Sequence, residues 1–407
     1  MHALDIINIV VIAIYLVIIA KRSHMAVLTK WLMLGHLMAA FALYFGGSMS
    51  IFGDQIKYFK AANHFRETLD LISMTEGFAG MMLAVFPIPA YPSHLSVALV
   101  NTVLFALTFW FLRRAGVMYG LPKWIYLFYP SVALYMALGL REGLIFVSMF
   151  LSVYYLINMR LVFAFAAAAP LVFIKPQNFL MLGMAGFLWT MIVPSVKLYV
   201  RVLMGAVAAV ALLYMGQWFS VDKVEYYRWA MYVEDHGDPE AYQKLDGYAD
   251  LLRVGIPDGL YFMLKPLPWE AEKPIQIVQS IENMVIGVMA LIAFLRNWTL
   301  KLPNRPGVLL NFMLGVSMVI YGLVVYNYGT AARYRFHFIA VFLVYSYHLH
   351  YLATWGRPSL HFLAHSGQLP LLGQHVLASA AFSNAQSQAN TSSASAGPTG
   401  QTAPSAS

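Results

Sequence analysis

Long apolar stretches, separated by short polar segments, follow one another along the chain from residue 4 to residue 353. A helix needs about 20 mostly apolar residues to cross a bilayer, so the pattern predicts transmembrane helices. Several stretches are shorter than this, which makes their boundaries approximate. The predicted spans are 4–20, 31–48, 93–112, 124–140, 143–159, 161–174, 178–193, 198–216, 277–295, 307–327 and 336–353. We therefore expect an all-α, polytopic membrane protein of about 11 transmembrane helices, within a domain that covers residues 1–355.

The composition supports this class of protein and excludes others. Of the 407 residues, 60% are hydrophobic and 11% are charged, whereas soluble domains carry about 25% charged residues. The formal net charge of +8 does not indicate nucleic-acid binding, because its unbalanced part lies in the predicted cytoplasmic loops. The chain has no cysteine, which excludes disulfides and thiolate metal sites.

The charged residues are divided unequally between the two sides of the predicted membrane. Assigning the loops alternately to the two sides places all 18 Asp and Glu residues on one side. The other side has Lys and Arg but no acid, and short basic loops mark the cytoplasmic side of a membrane. The acidic side is therefore the outer face, and we expect an outer N-terminus and a cytoplasmic C-terminus.

Two predicted outer loops, at about 49–92 and 217–276, are larger than the others. In the first, apolar residues recur at helical spacing over 54–72, which predicts a helix on the membrane surface. The following segment, 78–91, is apolar and broken by proline, so it either re-enters the membrane or packs on the outer face. We expect helical pieces in the second loop. Segment 366–407 is rich in Ser, Ala and Gln and has no charge, which predicts a disordered cytoplasmic tail.

Asp54 begins the predicted surface helix, with Lys57 one turn further on. A carboxylate in this place can act as a general base toward an acceptor hydroxyl, or can bind a metal ion that bridges phosphates. The alternative is a helix N-cap, for which Asp is favoured in any case.

Arg141 and Glu142 lie between two apolar spans with no loop to solvate them. Charged groups at such a depth are usually paired or functional. Together with Asp54 they are our candidate catalytic residues. The alternative for Arg141 and Glu142 is an ion pair that only orders the helix bundle.

Further polar residues at the ends of predicted spans are candidates for substrate binding. Lys175 is a point-charge partner for phosphate, with Gln177 beside it, although an ordinary turn with a solvated lysine explains the same residues. Glu282 lies near the outer end of its span, either as a functional carboxylate or as a partner for an arginine. We expect Lys57 to contribute to the same site.

The densest group of candidates precedes the last span. Arg333 and Arg335 stand at its outer end, where orientation disfavours positive charge. Their guanidinium groups suit phosphate oxygens, and His337 shares a helix face with Arg333 at i, i+4. The alternative is that both arginines snorkel to the headgroup boundary. Taken together, these residues predict one mixed-charge pocket on the outer face, suited to a lipid-linked phosphate.

Three short segments resemble the polyprenyl-phosphate-dependent glycosyltransferases of the family C fold and the related polysaccharide polymerases of bacteria. The segments are Gly53 to Tyr58, Tyr129-Pro130-Ser131 followed by Arg141-Glu142, and Gly329-Thr330 followed by Arg333 and Arg335. The resemblance implies an inner-membrane enzyme that transfers sugar from a polyprenyl-(pyro)phosphate donor on the periplasmic face, in the synthesis of a cell-surface polysaccharide. By this likeness Asp54 would be the base or metal-associated acid, and Arg333 and Arg335 would clamp the lipid phosphate.

The chain departs from the best-defined members at one position, because Gln55 stands where many carry a second acid. Whether the protein uses a divalent cation, with Asp54 as its ligand, therefore stays open. The choice between transferase and polymerase stays open as well. A transporter or flippase for a lipid-linked or anionic substrate and a non-catalytic assembly subunit are the other hypotheses. Charges at span ends and the lack of an internal repeat disfavour transport. The expected partners are the polyprenyl-linked sugar, membrane lipid and other polysaccharide-assembly proteins, and no nucleic acid.

Overall fold

A computed structural model describes residues 3–22, 27–46, 52–194, 196–216, 220–234 and 242–355. Within these ranges every regular element is an α-helix. The helices are α1 Ala3–Arg22, α2 Val27–Phe45, α3 Gln55–Thr68, α4 Thr75–Ala84, α5 His94–Arg114, α6 Leu121–Phe128, α7 Pro130–Met136, α8 Glu142–Ile157, α9 Leu161–Ile174, α10 Pro176–Ile192, α11 Leu198–Gly216, α12 Val221–Glu234, α13 Tyr248–Leu264, α14 Pro274–Thr299, α15 Pro306–Val324 and α16 Tyr328–Trp355. The segment 366–407, predicted to be disordered, lies outside the described residues.

Six of the described helices are long enough and apolar enough to cross a membrane, namely α1, α2, α5, α14, α15 and α16. The predicted class, an all-α membrane protein, is therefore confirmed. The other apolar stretches are also helical, but several helices are short: the 14 residues of α9 rise by about 21 Å, less than the roughly 30 Å of a hydrocarbon core. The count of eleven spans stays a prediction.

One predicted span, 124–140, is not a single helix. It divides into α6 and α7 at Tyr129 and Pro130. Proline has no N–H and disfavours the helical conformation in the residue before it, and Tyr129 is accordingly extended, with φ −67° and ψ 109°. A pattern of apolar residues does not reveal this break, which leads the chain through a turn at Gly139 into α8.

The helix predicted over 54–72 is present as α3, although it ends earlier than residue 72, and its place on the membrane surface stays a prediction. Leu69 adopts the left-handed conformation at φ 61°, which closes the helix after Thr68. Arg66 then donates to the carbonyl oxygens of Ala84, Phe86 and Ile88, at 2.9, 2.8 and 2.9 Å, and so holds the segment after α4 against α3. The proline-broken segment thus packs on its neighbours.

Helix α16 forms the centre of the bundle. It packs against α6, α7, α8, α13, α14 and α15, and it is buried almost continuously from Phe336 to Ser346. Its first two turns lie where several other helices begin or end. The charged residues of these turns are therefore close to the charged residues at the ends of the other helices.

The helical pieces expected in the second outer loop are α12 and α13, and α13 is closely packed rather than loose. It lies along α15, where Gly259 and Gly322 face each other. A Cβ atom on Gly322 would come within 2.4 Å of the Gly259 backbone. Small residues permit this kind of close helix approach in membrane proteins.

We expect Gly322→Ala to lower the free energy of unfolding by about 1–3 kcal/mol, the usual cost of overpacking. Gly315 lies on the same helix and a Cβ there would meet nothing within 4 Å. Gly315→Ala is therefore the matched control, and should be neutral or stabilising by up to about 1 kcal/mol. Unfolding by SDS in mixed micelles measures both, and equal stabilities would contradict the close packing of α13 on α15.

Candidate functional site

Most of the charged residues selected from the sequence meet where the N-terminal ends of four helices converge. Asp54 precedes α3, Glu142 begins α8, Lys175 immediately precedes α10, and Arg333 lies in the second turn of α16. A helix N-terminus carries about half a positive charge, because its first N–H groups have no partner within the helix. The convergence therefore favours an anion even before the side chains are counted.

Arg333 joins two carboxylates from distant parts of the chain. Its Nε donates to Glu142 Oε1 at 2.5 Å, and its Nη1 donates to Asp54 Oδ2 at 3.2 Å. Asp54 Oδ1 also lies 2.9 Å from Nζ of Lys57. We name Asp54, Lys57, Arg141, Glu142, Lys175, Arg333 and His337 the charged cluster.

The ion pairs of Arg333 run from the protein interior toward solvent. The side chain of Glu142 is 2% exposed, that of Arg333 is 15% exposed and that of Asp54 is 43% exposed. A buried carboxylate is very costly without a cation, so Glu142 requires Arg333 for its burial. Glu142 is therefore an interhelical ion-pair partner rather than the partner of its neighbour Arg141, and Asp54 is the open end of the network.

Asp54 does not serve as an N-cap. Its side chain makes no capping hydrogen bond, and its backbone is already helical at φ −59° and ψ −21°. Partial burial alone would raise the pKa of Asp54, but hydrogen bonds from Lys57 and Arg333 outweigh it and lower the pKa. Asp54 is consequently ionised at neutral pH.

Lys175 is buried, at 5% exposure, and is not the solvated turn lysine that was the alternative. Its Nζ lies 3.3 Å from the ring centroid of Tyr334 and 5.7 Å from that of Tyr321. These ring faces stabilise a cation in part. Lys175 forms no salt bridge with a carboxylate of the described residues, although Glu142 is an electrostatic neighbour. Burial lowers the pKa of Lys175 well below its usual value, and an incoming anion would favour its charged form.

Arg141 and His337 complete the charged cluster. Both are electrostatic neighbours of Glu142, and the Arg141 guanidinium lies 5.8 Å from the ring centroid of Tyr58. Arg141 Nε and His337 Nε2 are buried without a hydrogen-bond partner among the described residues. Four basic side chains (Lys57, Arg141, Lys175, Arg333) against two carboxylates leave a formal excess of two positive charges, with His337 neutral.

Arg335 and Glu282 do not join the charged cluster, and the expected joint clamp of Arg333 and Arg335 is not formed. Residues two apart on a helix point about 200° from each other. Arg335 is buried and donates to the carbonyl oxygens of Phe262 and Met263 at 2.7 and 2.8 Å, and also to Asn283. It thereby holds the end of α13. Glu282 accepts from Ser131 at 2.5 Å.

Two glutamines considered in the sequence, Gln177 and Gln55, have different surroundings in the structure. Gln177 lies in the first turn of α10, near Lys175, and its side chain makes no hydrogen bond with another described residue. Gln55 is buried and accepts from the Gly139 backbone N–H at 2.8 Å. Position 55 therefore anchors α3 to the turn before α8, and is not placed to supply a second acid next to Asp54.

Sequence reasoning did not select the tyrosines around the charged cluster. Tyr58 lies one turn beyond Asp54 and Tyr334 lies between the two arginines. Tyr135 donates to the Gly329 carbonyl oxygen at 3.1 Å and so supports the start of α16. The i, i+4 relation of Tyr58 to Asp54 was the available signal for one of them.

The donor set of the charged cluster does not match a metal site. No group of three or more His, Cys, Asp or Glu side chains with metal-binding geometry occurs in the described part of the chain. The two carboxylates share one arginine, and Asp54 has a lysine as its second partner. Basic side chains therefore occupy three of the four carboxylate oxygens, and the fourth, Glu142 Oε2, is buried without a hydrogen-bond partner among the described residues.

Comparison of the chain with protein-family models, with curated proteins and with solved structures found no match in any of the three.

We expect Glu142→Ala to lower the free energy of unfolding by about 3–5 kcal/mol, because it leaves the largely buried Arg333 without its main partner. Asp54→Ala is the comparison, since it removes the half-exposed partner and should cost less than about 1 kcal/mol. Chemical unfolding in mixed micelles gives both values. A larger cost for Asp54→Ala would contradict the described gradient of burial.

The lowered pKa of Asp54 predicts a pH dependence with a definite sign. The ion pairs of Asp54 contribute stability that is fully present above the unfolded pKa of about 3.9. This contribution is lost as the pH falls through the lower, folded pKa. The stability difference between wild type and Asp54→Asn should stay constant from pH 8 to pH 5 and shrink below about pH 4. A difference that grows on acidification would contradict the pairing.

Proposed function

We propose that this chain is a bacterial inner-membrane glycosyltransferase or surface-polysaccharide polymerase. It would transfer sugar from a polyprenyl-(pyro)phosphate donor on the periplasmic face. About eleven spans, a periplasmic N-terminus and a cytoplasmic C-terminus belong to the same proposal. The observation that supports it most strongly is the pair of salt bridges that Arg333 forms, one with the buried Glu142 and one with the half-exposed Asp54.

The charged cluster supports this proposal through its position and its charge. It lies at the end of an apolar bundle, so that a lipid tail and an ionic headgroup could be bound side by side. Its formal excess of positive charge and the four convergent helix N-termini suit a phosphate or pyrophosphate. Arg333 presents a fork of donors and Lys175 a point charge, and both kinds of group bind phosphate oxygens.

The proposed reaction assigns a separate role to each end of the ion-pair network. The acceptor hydroxyl oxygen attacks the anomeric carbon of the donor sugar and forms the new glycosidic bond, while the bond from that carbon to the phosphate oxygen breaks. Asp54 takes the hydroxyl proton. The leaving polyprenyl (pyro)phosphate keeps the electron pair, and Arg333, Lys175 and Arg141 stabilise its charge. No step of this mechanism uses a metal ion.

Glu142 has a positioning role in this proposal. Its carboxylate is buried and bound to Nε of Arg333, so it is poorly placed to receive a proton from an acceptor. It fixes the plane of the guanidinium instead, with Nη1 directed toward Asp54. An incoming phosphate that competes for Nη1 would weaken the hold of Arg333 on Asp54 and make Asp54 a stronger base.

The test is the glycan profile of a deletion strain that is complemented with single variants. Asp54→Asn should abolish the surface polysaccharide, because the amide cannot accept the proton. Glu67→Gln is the matched control: Glu67 is an exposed acid on the same helix, outside the charged cluster. We expect this control variant to restore the polysaccharide to the wild-type level.

Arg333 is tested in the same strain with two variants, since its removal leaves Glu142 unpaired. Arg333→Lys keeps a cation beside Glu142 but loses the fork, and should reduce polymer at least tenfold while the protein stays folded. Arg333→Ala should abolish polymer. Normal polymer from both Asp54→Asn and Arg333→Lys at wild-type protein levels would refute a catalytic role and favour the assembly subunit. Uptake of an unchanged substrate would favour the transporter.

A further inference from the structure

Four aromatic side chains from three parts of the outer region pack together. They are Trp229 and Tyr232 of α12, Tyr242, and Tyr326 just before α16. The ring centroids lie 4.8 Å apart for Trp229 and Tyr242, 5.1 Å apart for Tyr232 and Tyr242, and 5.1 Å apart for Tyr232 and Tyr326. We name these four residues the aromatic cluster.

A buried arginine lies beneath the aromatic cluster. Arg228 is 4% exposed, and its Nη1 donates to Asp258 Oδ2 at 2.9 Å and to the Leu323 carbonyl oxygen at 3.1 Å. Its guanidinium carbon lies 5.2 Å from the ring centroid of Tyr326. Arg228 Nε and the Tyr326 hydroxyl are buried without a hydrogen-bond partner among the described residues. Unpaired polar atoms and aromatic rings therefore occur at one place.

A membrane-interface belt does not explain this arrangement. Belt residues stand at span ends with their rings against the lipid boundary. Here the rings contact one another around the buried Arg228, whose partner Asp258 is 33% exposed, while Trp229 remains 38% exposed. Because Asp258 neutralises Arg228, the place is not primarily an anion site. It suits a ligand that is flat, uncharged on one face and rich in hydroxyl groups.

The aromatic cluster lies near the charged cluster. Arg333 follows Tyr326 by seven residues, six of which form the first turns of α16, so their backbones are on the order of 10 Å apart. Tyr135, whose hydroxyl contacts Gly329 at 3.1 Å, is an electrostatic neighbour of both Arg333 and Glu142. The start of α16 thus connects the two clusters.

We propose that the aromatic cluster binds a saccharide. This proposal rests on the proposed function, in which the bound saccharide is the acceptor glycan. The C–H face of a sugar ring is weakly positive and stacks on the negative face of an aromatic ring. A sugar hydroxyl group that enters between the rings would give the buried Arg228 Nε and the buried Tyr326 hydroxyl the hydrogen-bond partner that each lacks among the described residues. An acceptor held there reaches the charged cluster with its terminal sugar.

The experiment measures binding to the full-length protein in detergent micelles. The probe is the oligosaccharide mixture that mild acid releases from the surface polysaccharide of the cells that make this protein. We expect Trp229→Ala to weaken binding about tenfold, and Tyr326→Phe, which removes only a hydroxyl, to weaken it about fivefold. Trp229→Phe should retain most of the affinity. Trp269→Ala is the control, because Trp269 is 79% exposed in the same outer region and lies outside the aromatic cluster.

Asp54→Asn separates this proposal from the proposed function. It should bind the oligosaccharides as wild type does, since it alters the charged cluster alone. If Asp54→Asn and Arg333→Lys both make normal polymer while Trp229→Ala loses binding, the proposed function fails and the saccharide site stands. If the wild-type protein does not bind the mixture, or if Trp229→Ala and Tyr326→Phe both bind it equally well while folded, the saccharide site is refuted.

Discussion

The ion pair between Glu142 and Arg333 is the interaction on which the charged end of the bundle depends. A carboxylate that is 2% exposed in apolar surroundings costs several kcal/mol unless a cation meets it. Arg333 supplies that cation from a helix 191 residues further along the chain. The pair therefore fixes the start of α8 against the start of α16. Asp54 and Tyr334 take their positions relative to this contact, the first through Arg333 Nη1 and the second as its neighbour on the helix.

The first turns of α16 divide their polar residues between two tasks, because helical geometry separates them. Arg333 and His337, four residues apart, share a face and meet Glu142. Arg335 points the other way and satisfies the last carbonyl groups of α13, which would otherwise be buried without partners. One face thus supports a candidate site, and the opposite face holds together the helices around it.

The sequence was sufficient for features that depend on local pattern. Apolar runs predicted the helices, and a stripe at helical spacing predicted α3. The sharing of a face by Arg333 and His337 followed from their spacing. The break at Pro130 and the separation of Arg335 from Arg333 required attention to backbone chemistry and to helix phase. The partners of Lys175 could not be predicted, because the Tyr334 and Tyr321 rings reach it only through tertiary packing between distant helices.

The difference in exposure between the two acids on Arg333 determines which one a ligand can displace. A ligand that displaced Glu142 from Arg333 would leave a buried carboxylate with no cation. A phosphate contact at the surface does not offset that cost. Asp54 is 43% exposed, so water and Lys57 can receive its carboxylate at little cost when Arg333 Nη1 turns to another anion. Under the proposed function, the same exchange binds the phosphate and frees the base. A site built this way would couple arrival of the donor to activation of the acceptor, with Glu142 keeping the guanidinium in place throughout.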